Sequence, residues 1–252
     1  MLTLIEDIFL VQKHSIKKTI KSFIKNWYIV FIGIVYMLLY ASLTIAINIL
    51  FRGVLSIFVG IITAIVYSSL ISSYLYLLFN IINNNRITLK NLKDGFKEYL
   101  WKVYGIFFIM WLVSYMLSAI SDIFNSKIGI NSLVTLIVLI LLNALPETIY
   151  QKYYSSSESI KYAFDFFKEN WLNWFIPNVV FFALLYALEG INFTSLFMPS
   201  INILGGISLS EIVEYLISQV IFSFMMIYRG YLFQLLSTST RRKRMFMKNM
   251  YR

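Results

Sequence analysis

From Trp27 to Phe51 the chain runs for 25 residues without one charged side chain. A backbone placed in hydrocarbon has no water to bond to. It must satisfy its own N–H and C=O groups, as a helix or as a strand of a closed barrel. About 20 consecutive apolar residues let a helix cross, whereas a barrel strand alternates apolar and polar residues over about ten positions. Continuous runs predict an all-α, polytopic membrane protein, a single integral membrane domain over residues 1–252. Six transmembrane helices are expected, at roughly 27–51, 54–82, 101–120, 130–150, 172–190 and 209–236. Charged residues make up only 13% of the chain, against about 25% in a water-soluble domain. That leaves too little polar surface for a soluble fold.

Lysine and arginine sort the connecting segments into two sets. One set holds Lys13, Lys17, Lys18, Lys21 and Lys25 before the first span, Arg86 to Lys102 after the second, and Lys152, Lys161 and Lys168 after the fourth. The tail at 237–252 joins it with Arg241, Arg242, Lys243 and Arg244, an expected electrostatic anchor to anionic inner-leaflet lipids. The other set holds only Arg52 and Lys127. The positive-inside bias places the termini and the charged loops in the cytoplasm. Abundant Ile, Asn, Lys, Tyr and Phe suggest an AT-rich bacterial genome, hence a plasma membrane. The net charge of +10 follows from this bias. A nucleic-acid partner is not expected, since no soluble domain presents a groove-reading element.

Three amphipathic stretches lead into spans. Ile16, Ile20, Phe23, Ile24 and Trp27 share one helical face, as do Ile160, Phe164, Phe167 and Trp171. Between them, Leu89, Leu92, Phe96, Tyr99, Leu100 and Val103 line a third. Ser15, Thr88 and Ser159 are the expected helix N-caps. Such helices lie in the headgroup plane, with Trp27, Trp101, Trp171 and Trp174 as interfacial anchors. Shifting residues 15–31 by 144 positions pairs Ser15 with Ser159, Lys17 with Lys161, Asn26 with Asn170 and Trp27 with Trp171. The middle copy falls about halfway. We therefore expect three repeats, 13–82, 86–150 and 155–236, each an interfacial helix plus two spans. An even number of spans per repeat preserves orientation, which gives a pseudo-threefold axis along the membrane normal.

Pro146, Ser159, Phe167, Asn170 and Trp171 also carry a resemblance. An apolar span, a proline, a short polar loop, a Ser-hydrophobic-Lys helix and Asn-Trp resemble the pattern of YciC-like proteins. The same pattern marks the membrane domain attached to some glycerophosphodiester phosphodiesterases. The resemblance implies a fold and carries over no catalytic residue.

Ionisable groups inside spans are costly and tend to be functional. Three fates are open to Arg229: snorkelling to the interface, which the sequence favours, pairing with Glu147, or binding a lipid phosphate. Glu189, Glu211 and Glu214 gather at the predicted outer ends of spans five and six, as a cation or proton site or as solvated helix ends. The apolar loop 190–208 is expected in the outer interface. The absence of cysteine excludes disulfides, thiolate metal sites and cysteine nucleophiles. His14, the sole histidine, reads as an exposed interfacial side chain. No catalytic residue, metal or cofactor is expected. Two readings remain: a non-enzymatic bacterial membrane protein binding lipid or a membrane partner, or a permease-type exporter subunit that docks an ATP-binding subunit.

Overall fold

The computed structural model describes residues 2–123, 130–189 and 209–250. Among these residues every regular element is a helix. In chain order they are α1 (Leu2–Lys25), α2 (Ile29–Leu50), α3 (Val59–Asn84), α4 (Leu89–Glu98) and α5 (Leu100–Ile123), followed by α6 (Ile130–Leu141), α7 (Leu145–Gln151), α8 (Ser156–Glu189), α9 (Leu209–Thr238) and α10 (Arg241–Met250). A 3₁₀ turn at Gly53–Phe58 leads into α3. Gly53 adopts φ +66°, a left-handed conformation open to glycine.

Four stretches are long and apolar enough to cross a membrane: Ile29–Leu50, Leu55–Asn84, Leu100–Ala119 and Val213–Thr238. They coincide with the first, second, third and sixth expected spans. The stretch 130–150 departs from expectation, because a turn at 142–144 divides it into α6 and α7. Pro146 stands in the first turn of α7, where its missing N–H costs no intrahelical bond. The stretch 172–190 is no separate rod either. It is the second half of α8, a helix of 34 residues that passes Trp171 without a break. Pro177 inside α8 cannot bond to the carbonyl four residues back, which belongs to Asn173. That carbonyl accepts the Gln12 side-chain amide of α1 instead, at 2.9 Å.

The helix starts also differ. Thr88 caps α4 as expected, its hydroxyl accepting the Asn91 N–H. Ser15 lies in the middle of α1, and Ser159 inside the first turns of α8. The cap of α8 is Ser155. Its N–H donates to Glu158 Oε2 at 2.9 Å, and the Glu158 N–H returns to Ser155 Oγ at 3.4 Å, a capping box.

The core gathers at one end of the bundle. It holds Leu70 to Ile82 of α3, Met225 to Leu236 of α9, Ile149 and Tyr150 of α7, and Phe166 and Trp174 of α8. Toward the other end α2 and α5 turn large apolar side chains outward, among them Leu38, Ile45, Ile49, Trp111 and Met116. α3, α7 and α9 touch one another pairwise, and around them α4 lies on α3, α8 on α7, and α1 on α9.

The expected apolar stripe of α1 does face outward at Ile16, Ile20, Ile24 and Trp27, while Phe23 turns partly inward to stack edge-on with Phe224. A third face is buried: Asp7, Val11, Ser15, Thr19, Ser22 and Asn26. Small and polar side chains let helix backbones approach closely in lipid, and this face meets α9. Ser22 Oγ lies 2.6 Å from Tyr231 Oη.

The α3–α4 contact uses the same device. The hydroxyls of Ser69, Ser72 and Ser73 donate to the carbonyls of Phe96, Gly95 and Leu92, at 2.9, 2.6 and 3.0 Å. Ser72 Oγ also accepts the Tyr99 N–H at 2.8 Å. Ser69 and Ser72 thus satisfy carbonyls in the last turn of α4, which a helix cannot bond by itself, and Ser73 adds a bond one turn earlier. Those serines lie mid-way along α3, so α4 folds back against it as a hairpin. Asn80, by contrast, donates within α3 to Tyr76 O at 2.8 Å.

Two outcomes follow from this packing. A Cβ on Gly95 would stand 3.0 Å from the Ser73 Cα and 3.1 Å from the Tyr76 Cβ. Gly95→Ala is expected to destabilise the detergent-solubilised protein by about 1–3 kcal/mol. Gly60→Ala, where nothing lies within 4 Å, serves as the neutral control. Equal thermal midpoints for the two variants would contradict the close approach. At α8, the Ser155 N–H and then its hydroxyl hold the Glu158 carboxyl below its ordinary value of 4.5. A lowered folded pKa adds stability above the ordinary carboxylate range and loses it as the pH falls through the folded value. Ser155→Ala should lower the midpoint at neutral pH, with the gap to the parent narrowing in acid below 4.5. A gap that stays constant into acid would mean that the carboxylate takes no part.

Candidate functional site

Two arginine–carboxylate pairs are buried in the helical core. The first joins α7 to α9. Pro146 starts α7 and fixes the helical phase in which Glu147 points inward. Arg229 meets it from α9: Nε donates to Oε1 at 2.8 Å and Nη2 to Oε2 at 2.9 Å. Nη2 also donates to the Asn143 carbonyl at 2.5 Å. Glu147 is 0% exposed and Arg229 3%. Trp174 of α8 covers the cation, its ring 5.1 Å from the guanidinium carbon, and its indole N–H donates to Asn143 Oδ1 at 3.0 Å.

The chemistry of this cluster is that of a clamp. A bidentate pair consumes both carboxylate oxygens and one edge of the guanidinium, and the neighbouring carbonyl and indole occupy further positions. Of the three fates open to Arg229, the structure displays the pair with Glu147. Its head does not snorkel, and with the fork engaged and covered it presents no face to a lipid phosphate. Trp174, expected as an interfacial anchor, is fully buried in this cluster. The reason is local: the turn at 142–144 places Asn143 under its indole N–H.

The second pair ties the two ends of the chain together. Arg244 of α10 donates through Nε to Asp7 Oδ1 at 2.9 Å and through Nη2 to Asp7 Oδ2 at 2.8 Å. Its Nη1 donates to the Ser239 carbonyl at 2.6 Å. Asn173 of α8 adds an amide N–H to Asp7 Oδ2 at 3.3 Å. Gln12, which donates to the Asn173 carbonyl, accepts the Tyr228 hydroxyl of α9. Arg244, expected among the exposed anchors, is thus a buried structural cation, because the carboxylate of α1 reaches it. Arg241, Arg242 and Lys243 remain on the exposed side of α10. Beside the pair opens a cavity of about 560 Å³ between α1, α8 and the α9–α10 junction.

The remaining expected residues are scattered. Trp27, in the turn between α1 and α2, Trp101 on α5 and Trp171 on α8 are each more than half exposed. Glu214 is exposed, while the side chains of Glu189 and Glu211 and the loop 190–208 lie outside the described residues. Among the described residues no group of three His, Asp or Glu side chains is arranged to hold a metal ion. His14 is exposed; partial burial, and then the neighbouring Lys18 charge, lower its pKa from 6.5, which keeps it neutral at pH 7. Asp7, Gln12 and Asn173 were not singled out by sequence. The signal available was the spacing of Asp7, Val11, Ser15 and Thr19, one residue per turn on one face.

No family model, no curated protein and no solved structure matches this chain.

Removing one member of the first pair leaves its partner charged and buried. Glu147→Leu or Arg229→Leu alone is expected to cost about 3–5 kcal/mol. The double variant, which leaves no orphaned charge, should cost less than either. Unfolding of the four proteins in detergent measures this coupling. Additive losses across the cycle would rule out the pair as a unit.

Proposed function

We propose that the chain is a non-enzymatic integral protein of a bacterial plasma membrane, a six-span bundle that binds lipid or a membrane partner. The observation that carries this reading is the inverted distribution of side chains. Apolar residues crowd the outer surface, while the buried charges among the described residues, Asp7, Glu147, Arg229 and Arg244, form two bidentate pairs.

In this reading α6 with α7, and the second half of α8, are the fourth and fifth crossings. The three-repeat architecture has support in the burial pattern. Ser15, Thr19, Ser22 and Val30 are buried, and so are Ser159, Ala163, Phe166 and Trp174, each 144 positions later. In the middle copy Gly95 and Val103, 73 positions after Ser22 and Val30, are buried too. Each interfacial helix packs on the last helix of the preceding repeat, α4 on α3 and α8 on α7, and α1 closes the ring on α9. The central triangle of α3, α7 and α9 is what a threefold axis would produce. The exporter-permease alternative draws on the exposed charged face of α4, with Lys90, Lys93, Asp94, Lys97 and Glu98. An ATP-binding subunit would dock there, and an ATPase co-purifying with the chain would favour it.

Because the chain has no cysteine, single cysteines report its topology directly. Lys17→Cys, Lys93→Cys and Lys161→Cys are expected to react with an impermeant maleimide only after cells are permeabilised. Arg52→Cys is expected to react in intact cells. Labelling of any of the first three from outside would overturn both the orientation and the repeat symmetry.

A further inference from the structure

The cavity beside the Asp7–Arg244 pair has a volume, about 560 Å³, within the ~300–1,000 Å³ range of small-molecule sites. Its wall is unusual in charge. Two carboxylates, Asp7 and Glu169, and two guanidiniums, Arg241 and Arg244, line it together, so its formal charge sums to zero. Asp7 and Arg244 are themselves buried and held in fixed positions by their mutual bonds. The aromatic rings of Tyr162, Phe166 and Trp171 complete one side, and the hydroxyl-rich run at 237–240 completes the other. Asn173, also on the wall, donates its N–H to Asp7 and leaves its Oδ1 without a donor.

An anion entering such a wall meets as much repulsion as attraction, and so does a simple cation. A group carrying both signs can set each end against its complement. The surroundings add a second criterion. Leu172 lines the cavity, and Phe175, Ile176 and Val179 continue from it along the same face of α8, exposed and apolar. A polar, doubly charged pocket that opens onto an apolar stripe has the shape of a phospholipid.

We infer that this cavity binds the headgroup of a zwitterionic phospholipid, an ammonium and a phosphate on one short linker, with the acyl chains along α8. The inference rests on the membrane reading above and names the lipid class for it. The phosphate faces the exposed Arg241 at the start of α10, beside the engaged Asp7–Arg244 pair. The ammonium faces Glu169, with the aromatic rings alongside.

The test uses the full-length protein purified in detergent and titrated with phosphatidylethanolamine, phosphatidylglycerol or soluble glycerophosphoethanolamine. Lipid retention is read by native mass spectrometry and stabilisation by the thermal midpoint. Phosphatidylethanolamine is expected to stay bound and raise the midpoint well above the effect of phosphatidylglycerol. Glu169→Lys makes the wall cationic. It should weaken phosphatidylethanolamine about tenfold while leaving the lipid-free midpoint unchanged, because Glu169 is exposed and outside both buried pairs. Equal retention of the two lipids, or no response to Glu169→Lys, would overturn the site. Soluble glycerophosphoethanolamine binding as tightly as the lipid would overturn the assignment to a lipid. None of these results touches the cysteine-labelling pattern, so a failed site and a failed topology are told apart.

Discussion

Every polar group that enters a bilayer has to find its partner within the protein, because hydrocarbon offers none. That constraint accounts for the inside of this molecule. The buried surface of α1 carries Asp7, Thr19 and Ser22, each hydrogen-bonded within the protein, rather than leucine, while isoleucines face out. In water such an arrangement would be unstable. Next to lipid, apolar side chains gain nothing by turning inward, and association comes from close packing and hydrogen bonds. The serines of α3 under the carbonyls of α4, and the amide of Gln12 under the carbonyl freed by Pro177, are applications of one rule at different places.

The same rule explains why the two arginines are paired rather than directed to the surface. Arg229 lies in the C-terminal third of α9, near enough to the end of the helix for its long side chain to reach out. Extending there would leave Glu147 ionised in a dry core, and a buried carboxylate without a partner costs several kcal/mol by itself. Each charge is the reason the other stays inside. Asn143 and Trp174 then fill the positions that the pair leaves over, which draws α8 into a contact that would otherwise join only α7 and α9.

Much of the helical layout was legible in the sequence. Four expected spans coincide with long apolar helices, since an uninterrupted charge-free run permits little else. The departures occur where a single residue changes the geometry. Pro146 looked like the end of a span and instead starts a new helix after a turn, so 130–150 became two elements. Trp171 resembled a junction, yet nothing near it stops a helix, so the interfacial segment and the span of α8 merged. The two ion pairs differ in how far sequence reached. Glu147 and Arg229 were suspected because each is an isolated charge in an apolar run. Asp7 and Arg244 were not, because Asp7 stands in the short leading segment and Arg244 among three other cations. Partners 237 residues apart leave no local trace in composition.

That long separation bears on why α1 is amphipathic. α1 is synthesised first and its partner α9 nearly last, so its polar face waits through most of synthesis without the contacts that later bury it. A helix with that face in the hydrocarbon interior would hold several unsatisfied groups in the meantime. One lying at the headgroup level keeps its serines, Asn26 and Asp7 hydrated until α9 and α10 arrive. α4 faces no such delay, because its serine partners on α3 precede it by about twenty residues. The corresponding positions of α4 are less polar, with Leu92 and Gly95 in place of Thr19 and Ser22. The Asp7–Arg244 pair, which bridges the most distant segments, is the contact that can form only when the ring is otherwise complete.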